Sequence, residues 1–214
     1  MAYYPVMLEI EGKKCLVVGG GNIALRKIQG LLECGAQVTV IAPRINEKIL
    51  KLREDGRIST FERNYMTGDL EGFFMTVAAS GDGEVNRKVA FEASERGIPV
   101  NVVDDRELSS FIVPSVIRRG DLTVTVSTGG KSPLLAKMLR KKLEKILTDE
   151  YEELLNRLGE ARERVKGQEL SKEEKIKIYN GIIQDYKLTC DGKEGYHEFG
   201  RIIYQGKKGH ARRR

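Results

Sequence analysis

One segment near the start of the chain restricts the possible folds more than any other. Residues 17–24 are Val-Val-Gly-Gly-Gly-Asn-Ile-Ala, an apolar run of strand character followed by the pattern G-x-G-x-x-A. Gly19 permits a tight turn, Gly21 lets the backbone approach a pyrophosphate, and the small Ala24 lets a helix pack closely on the strand. Because a helix begins at this loop, its first amides and its dipole favour a bound phosphate. The segment therefore predicts a dinucleotide site.

Short apolar runs alternate with helical patterns through the first half of the chain. Strands are predicted at 14–18, 37–42, 59–62, 74–79 and 99–103, and helices at 24–34, 45–54 and 84–96. Strands that alternate with helices predict a parallel sheet with right-handed crossovers. The expected class is α/β, with a Rossmann-type parallel sheet domain over residues 1–113.

The pattern changes after residue 113. Two extended segments, 110–118 and 122–127, flank a turn, and Ser132 and Pro133 then suit the N-cap and first position of a helix. That helix carries an apolar stripe of Leu134, Leu135, Met138, Leu139, Leu143, Ile146 and Leu147. A hairpin and a helix are too small to form a core of their own, so we expect them to pair with a second copy of the chain.

Three segments follow from these patterns. Residues 1–113 are the predicted nucleotide-binding domain, and 114–147 are the predicted dimerisation segment. Residues 148–214 are charged and of helical pattern, which predicts a helical C-terminal module with a basic tail.

The charge is unevenly distributed between the two halves. Residues 1–113 carry 14 Lys and Arg against 16 Asp and Glu, whereas residues 114–214 carry 23 against 15. Such a basic excess suits an anionic partner, either a polycarboxylate or a nucleic acid. A solvated helical surface has the same composition, and the charge alone favours that third interpretation.

Several classes of protein are disfavoured by composition. No apolar run approaches the ~20 residues of a membrane span, and no signal peptide is visible, so we expect a cytoplasmic protein with no membrane contact. The three cysteines, Cys15, Cys34 and Cys190, form neither a disulfide framework nor a metal knuckle. No His/Cys cluster has ligand spacing, so we expect no permanently bound metal.

The second predicted strand ends without the acidic residue that usually accepts a hydrogen bond from a ribose 2′-hydroxyl. Ile41-Ala42-Pro43-Arg44 stands there instead. Arg44 can face the adenosine or a 2′-phosphate, which leaves the choice between NAD and NADP open.

Several blocks occur in an order that is typical of one family. They are residues 17–27, 101–105 (Asn-Val-Val-Asp-Asp), 110–114 (Ser-Phe-Ile-Val-Pro) and 126–136 (Val-Ser-Thr-Gly-Gly-Lys-Ser-Pro-Leu-Leu-Ala). From Tyr4 to about Leu147 the chain resembles the precorrin-2 dehydrogenase and sirohydrochlorin ferrochelatase family, which includes the N-terminal module of siroheme synthase. The resemblance implies NAD-dependent oxidation of precorrin-2 to sirohydrochlorin by a homodimer. From these 214 residues we expect no uroporphyrinogen methyltransferase domain.

The resemblance also assigns site residues. It implies NAD contacts at Asn22, Ile23, Pro43 and Arg44, and an essential aspartate at Asp104. From the residues alone, Asp104 lies just beyond the carboxyl end of a predicted strand, where open α/β sheets bind ligands, and it suits a general base there. A turn or N-cap aspartate is equally compatible with that position. The resemblance favours catalysis.

A second glycine-rich segment is the expected substrate site. Residues 128–132 resemble part of a phosphate loop, but Thr125 stands where a Walker A motif needs glycine. A glycine-rich turn into a helix can still bind a carboxylate through backbone amides, or it can be a simple connection. The predicted contacts to the tetrapyrrole are Asn101, Thr128, Gly129, Lys131 and Ser132, with further charges at Arg118, Arg119, Lys137 and Arg140.

Two questions stay open at this stage. Some relatives insert ferrous iron into sirohydrochlorin, but the only histidines, His197 and His210, are far in sequence from Asp104. The alternative function is an NAD-sensing regulator whose basic C-terminal part contacts nucleic acid. No helix-turn-helix or aromatic–basic motif supports it, so we expect no nucleic-acid partner. An NADP-linked reductase acting on another anionic substrate is a further alternative.

Overall fold

The computed structural model describes residues 3–185. The predicted basic tail, Cys190 and both histidines lie outside the described residues. The backbone contacts divide the chain into two compact units, which meet in sequence at Val113 and Pro114. Each unit is described by itself.

The first unit is built on one five-stranded parallel sheet. Its elements are β1 (Lys14–Val18), α1 (Asn22–Leu32), β2 (Gln37–Ile41), α2 (Glu47–Glu54), β3 (Ile58–Phe61), β4 (Met75–Ala78), α3 (Gly83–Glu95) and β5 (Val100–Val102). The strand order is β3-β2-β1-β4-β5. The predicted Rossmann-type parallel sheet is confirmed, and each predicted strand and helix of this unit is present.

The position of the crevice follows from this strand order. The chain leaves β1 through α1 and enters β2 on one side, while β4 pairs with β1 on the other side. Val18 lies level with both Ile41 and Ala78, so the carboxyl ends of these three strands are aligned. In open α/β sheets, ligands bind where the strand order reverses in this way.

Alternating side chains of the sheet form two cores. On one face, Cys15 and Val17 pack with α1 and α2. On the other face, Leu16 and Val18 pack with α3. The helices are thus held by continuous burial, which fixes the loops at the carboxyl edge of the sheet.

The segment after β5 differs from the prediction. Extended structure was expected from residue 110, but the second unit's first strand begins at Ser115. Instead, the Ser109 hydroxyl accepts from the Val102 amide at 2.9 Å, and the Ser110 hydroxyl accepts from the Val100 amide at 2.8 Å. These hydroxyls satisfy the outer edge of β5, which would otherwise present unpaired backbone groups.

The second unit contains the predicted hairpin and helices. Its elements are β6 (Ser115–Arg119), β7 (Leu122–Val126), α4 (Pro133–Ile146), α5 (Glu150–Lys166) and α6 (Lys172–Asp185). The two strands are antiparallel, and α4 packs on both. As predicted, the Ser132 hydroxyl caps α4 by accepting from the Leu135 amide at 3.2 Å, and Pro133 opens the helix. Over residues 3–185, no helix has the length and apolar character needed to cross a bilayer.

Candidate functional site

The glycine loop between β1 and α1 is wedged between two neighbouring segments. Gly19 has φ +135°, and a Cβ there would lie 2.3 Å from the Ala79 carbonyl oxygen. A Cβ at Gly20 would lie 2.1 Å from the Arg44 carbonyl oxygen. Both positions therefore exclude any side chain. The requirement at Gly20 was missed by the sequence pattern, since G-x-G-x-x-A leaves that position free and its neighbour Arg44 is distant in sequence.

Gly21 is in a different environment. A Cβ there would meet nothing within 4 Å, so this side of the loop is open. Gly21 is also the N-cap of α1, and no side chain accepts a hydrogen bond from the first-turn amides. Since these amides and the helix dipole favour an anion, the open loop fits the pyrophosphate of a dinucleotide. Asn22 and Ile23 follow on the first turn and are exposed.

The loop after β2 lies beside the glycine loop. Pro43 and Arg44 are exposed there. The Asn46 backbone amide donates to the Gly20 carbonyl at 2.9 Å, and its side-chain amide donates to the Asn22 side-chain oxygen at 3.0 Å. These two bonds hold the loops together. Two adjacent loops and the first turn of α1, at the carboxyl edge of the sheet, thus contain the predicted cofactor residues Gly19, Gly21, Asn22, Ile23, Pro43 and Arg44. Asn46 is the connecting residue that sequence reasoning missed.

Asp104 follows β5 and has an unusual backbone conformation. Its φ of +59° is the only positive value at a non-glycine among residues 3–185. Aspartate tolerates this left-handed region better than most side chains. Its exposed carboxylate accepts no hydrogen bond within that part of the chain.

Asp105, the adjacent residue, stabilises the turn that follows β5. One Asp105 carboxylate oxygen accepts from the Glu107 amide at 3.0 Å and from the Leu108 amide at 3.1 Å. Asp105 therefore caps this turn. Because Asp105 serves the turn, the Asp104 carboxylate is available for a ligand.

Asn101 lies on β5 and is only 7% exposed. Its side-chain oxygen accepts from the Lys27 ammonium at 2.9 Å, and its side-chain nitrogen donates to the Phe111 carbonyl at 3.1 Å. Both groups are therefore engaged inside the first unit. The predicted contact between Asn101 and a substrate stays a prediction, but the structure gives Asn101 an internal role.

Lys27 is a second residue that sequence reasoning missed. It lies on α1 and is half-buried. Burial lowers the pKa of Lys27, the nearby Arg26 charge lowers it further, and the Asp104 carboxylate raises it. Lys27 is thus electrostatically linked to the predicted catalytic residue.

In the second unit, the 128–132 turn is largely closed by its own hydrogen bonds. The Thr128 hydroxyl accepts from the Ser132 amide at 3.1 Å, and the Thr128 carbonyl accepts from the Lys131 amide at 3.1 Å. The Gly129 amide donates to the Ser127 hydroxyl at 3.1 Å. Amides predicted to bind a carboxylate are therefore used within the turn, and the exposed Lys131 side chain is the group that remains suited to an anion.

The predicted basic residues of the second unit are either half-buried or exposed, and the two half-buried ones are Arg119 and Arg140. Arg119 pairs with Asp149, with 3.0 Å between nitrogen and oxygen, and Arg140 pairs with Glu144 one helical turn away. Lys131, Lys137 and Arg118 are exposed. Among the described residues, no group of three or more His, Cys, Asp or Glu side chains is placed to hold a metal ion.

Two family models match the chain. One, described as putative NAD(P)-binding, matches residues 6–115. The other, described as sirohaem biosynthesis protein central, matches residues 119–146. With the parallel sheet and the open glycine loop, the first match defines the class: a Rossmann-type NAD(P)-binding protein.

Individual proteins make the class more specific. The chain is 38% identical to the siroheme synthase of Methylobacillus flagellatus, over 95% of this chain and 44% of the relative. It is 42% identical to the siroheme synthase of Chromobacterium violaceum, over 71% of this chain and 32% of that relative. The chain thus spans less than half the length of these relatives. A solved structure of SirC, a precorrin-2 dehydrogenase, is 30% identical with a TM-score of 0.73, over 95% of this chain and all of that chain.

The structural likeness covers the complete SirC chain at 30% identity, and the siroheme synthase of Methylobacillus flagellatus also aligns over 95% of this chain. The chain therefore belongs to the precorrin-2 dehydrogenase family. Its predicted family and fold class are confirmed.

Proposed function

We propose that the chain catalyses the NAD-dependent oxidation of precorrin-2 to sirohydrochlorin, a step of siroheme biosynthesis. One observation carries the proposal. An open glycine loop and an aspartate whose carboxylate accepts no hydrogen bond within residues 3–185 lie at the same carboxyl edge of the sheet, in a chain of the precorrin-2 dehydrogenase family. The proposal includes a cytoplasmic location, where the cofactor is available.

The reaction removes one hydride and one proton from the substrate. NAD supplies the hydride acceptor when it is bound. The amides that follow Gly21 bind its phosphates, and the exposed Pro43–Arg44 segment contacts the adenosine end. Asp104 accepts the proton as a general base, since its carboxylate is exposed and is not committed to the turn.

The substrate is an anionic tetrapyrrole with eight carboxylates. We propose that exposed basic side chains of the second unit bind these carboxylates, with Lys131 as the first candidate. Arg119 and Arg140 already have acidic partners within the unit and are weaker candidates. Thr128, Gly129 and Ser132 shape the turn that presents Lys131.

A homodimer is part of the proposal. On α4 only Ala136 is buried, whereas Leu134 is 69% and Met138 is 50% exposed. A contiguous apolar stripe on a soluble helix needs a covering surface, and a second copy of the same segment provides one. Sedimentation should give a dimer, and Met138→Glu should shift it to monomer, while Lys137→Glu on the same helix should leave it dimeric. A monomeric wild-type protein would contradict the dimer.

Ferrous iron insertion into sirohydrochlorin would be a separate activity of the same chain. Iron would act there as a second substrate. An assay of siroheme formation from sirohydrochlorin and ferrous iron tests it separately.

The proposed dehydrogenase is tested by anaerobic absorption spectroscopy of the protein with precorrin-2 and either NAD or NADP. We expect the sirohydrochlorin spectrum to appear with NAD. Binding of NAD without oxidation of precorrin-2 would contradict the proposed dehydrogenase activity and favour the nucleotide-sensing regulator. Faster turnover with NADP would keep the enzyme and assign Arg44 to a 2′-phosphate.

A further inference from the structure

The Lys27 side chain crosses between two parts of the sheet. Helix α1 packs on β1 and β2, whereas α3 packs on β4 and β5 from the opposite face. On the α1 side of β5, Val103 and Phe111 supply the apolar cover. Lys27 reaches from α1 across this face to Asn101 on β5.

Two hydrogen bonds connect Lys27 to Asn101 and Asn101 to Phe111. The Lys27 ammonium donates to the Asn101 side-chain oxygen, and the Asn101 side-chain nitrogen donates to the Phe111 carbonyl. Asp104 lies between these two anchored residues in sequence. Since Asn101 is buried, the loss of one partner leaves a polar group without its hydrogen bond, so the three groups keep one arrangement.

The charge of Lys27 acts on the same segment. Asp104 opposes the effect of burial on the Lys27 ammonium, so the two charges attract each other across the α1 face. The left-handed backbone at Asp104 needs surroundings that hold it, because this conformation is unfavourable for a residue with a Cβ. The anchors at Asn101 and Phe111, together with this attraction, provide that support.

We infer that Lys27 is a positioning residue, which fixes Asn101 and thereby the 101–111 segment that carries Asp104. The inference rests on the proposed function, in which Asp104 accepts the proton. Lys27 does not contact the reacting atoms in this account. Its effect is transmitted through Asn101, and its charge also attracts the Asp104 carboxylate.

The test compares Lys27→Met, which removes the charge and the donor, with Lys27→Arg, which keeps both. Lys51→Met is the matched control, since Lys51 is exposed on α2. We expect Lys27→Met to lower kcat by roughly 10- to 100-fold while the Kd of NAD and the KM of precorrin-2 change less than about threefold. Lys27→Arg should recover most of the lost kcat, and Lys51→Met should behave as wild type.

A double-mutant cycle tests the route of the effect. If Lys27 acts through Asn101, then Lys27→Met combined with Asn101→Leu should lower kcat no more than about threefold beyond the larger single effect. If the fold-losses in kcat of the two single variants multiply in the double variant, the inference is overturned. It would also be overturned by wild-type kcat in Lys27→Met, or by a parallel loss of NAD affinity that Lys27→Arg does not relieve.

A measurement without turnover separates this inference from the proposed function. Nuclear magnetic resonance of protein with 13C-labelled lysine should show Lys27 titrating at lower pH in Asp104→Asn than in wild type, because a stabilising carboxylate is removed. Lys27→Met should shift the amide resonances of the 101–111 segment. If wild type fails to oxidise precorrin-2, the proposed function fails, and these spectra alone decide the placement of Lys27: unchanged spectra would overturn it.

Discussion

Helices α1 and α4 have similar apolar stripes in sequence and differ in how their own units bury them. Helix α1 buries Ala24, Leu25, Ile28 and Leu31 against the parallel sheet. Helix α4 buries Ala136 alone, and most of its stripe is exposed. The first stripe packs on the strands directly before and after it in the chain, whereas most of the second stripe stays exposed among the described residues of its unit. A stripe in sequence therefore predicts that a helix face will be covered, and it leaves open what covers it.

The difference has a consequence for stability. The first unit should have a free energy of unfolding that is independent of protein concentration, since its core is complete. The second unit should be stabilised by association, because binding of a second copy removes the exposed stripe from water. The following predictions test how far the first unit is complete by itself.

The largest effect is expected at the glycine loop. Gly20→Ala places a Cβ 2.1 Å from the Arg44 carbonyl oxygen, so the backbone must move, and we expect a loss of roughly 4 kcal/mol or more in the free energy of unfolding of the first unit. Gly21→Ala, whose Cβ meets nothing within 4 Å, should leave stability within about 1 kcal/mol and weaken NAD binding about tenfold. Urea unfolding measures the free energy of unfolding, and titration calorimetry measures the affinity for NAD. Equal stability of both variants would contradict the packed loop.

The second prediction compares the two stripes directly. Ile28 is fully buried on α1, so Ile28→Ala should destabilise by about 3 kcal/mol at every protein concentration. Met138 is half exposed on α4, so Met138→Ala should cost less than about 1 kcal/mol in dilute protein and more as the concentration rises. Thermal unfolding over a range of concentrations measures both. A concentration-independent effect at Met138 would remove the distinction between the stripes.

A smaller effect is expected at the loop between β3 and β4. Arg63 donates to both Asp69 carboxylate oxygens at 2.7 Å, and this hydrogen bonding lowers the pKa of Asp69 below its ordinary 3.8. Asp69→Asn should therefore destabilise by about 1.5 kcal/mol near neutral pH. The ionised Asp69 stabilises the fold above pH 3.8, and this contribution is lost as the pH falls through its lower folded-state pKa. Urea midpoints from pH 7 to 2.5 measure the difference, which should shrink only in the acid range. If the difference in urea midpoint between wild type and Asp69→Asn stays constant over this pH range, the ion pair with Arg63 does not stabilise the fold.

The smallest effect is expected at Asn46, which connects the two cofactor loops. Its side chain caps α2 by accepting from the Lys48 amide at 2.8 Å and also donates to Asn22. Asn46→Ala should cost about 1 kcal/mol, of the size expected for an N-cap, and Asn46→Asp should retain the cap and lose the donor to Asn22. NAD affinity that falls in both variants would show that the contact with Asn22 matters. Affinity that is unchanged in both would limit Asn46 to capping.

The features that could be predicted from sequence are those fixed by local pattern. Strands β1 and β4 are buried and largely apolar runs, and Gly19 and Gly21 stand at fixed positions beside β1. The N-cap role of Ser132 likewise depends only on its neighbours. Such features need no knowledge of what lies across the sheet.

The features that were missed depend on contacts between distant segments. Gly20 has to be glycine because of Arg44, and Lys27 matters because α1 places it 2.9 Å from Asn101, 74 residues away. Nothing local distinguishes Lys27 among the 37 lysines and arginines. The segment 110–114 was expected to be extended as part of the hairpin. Ser109 and Ser110 instead close the edge of β5, so the first backbone partners of the segment belong to β5.

We propose that Asp104 acts in catalysis, whereas Asp105 caps the turn. The most direct test is the rate of precorrin-2 oxidation in Asp104→Asn and Asp105→Asn, measured anaerobically with NAD. Asparagine also tolerates a left-handed backbone, so Asp104→Asn removes the carboxylate without adding strain. The account predicts a loss of about 100-fold or more for Asp104→Asn and less than about threefold for Asp105→Asn. Equal rates in the two variants, or a larger loss at Asp105, would contradict it.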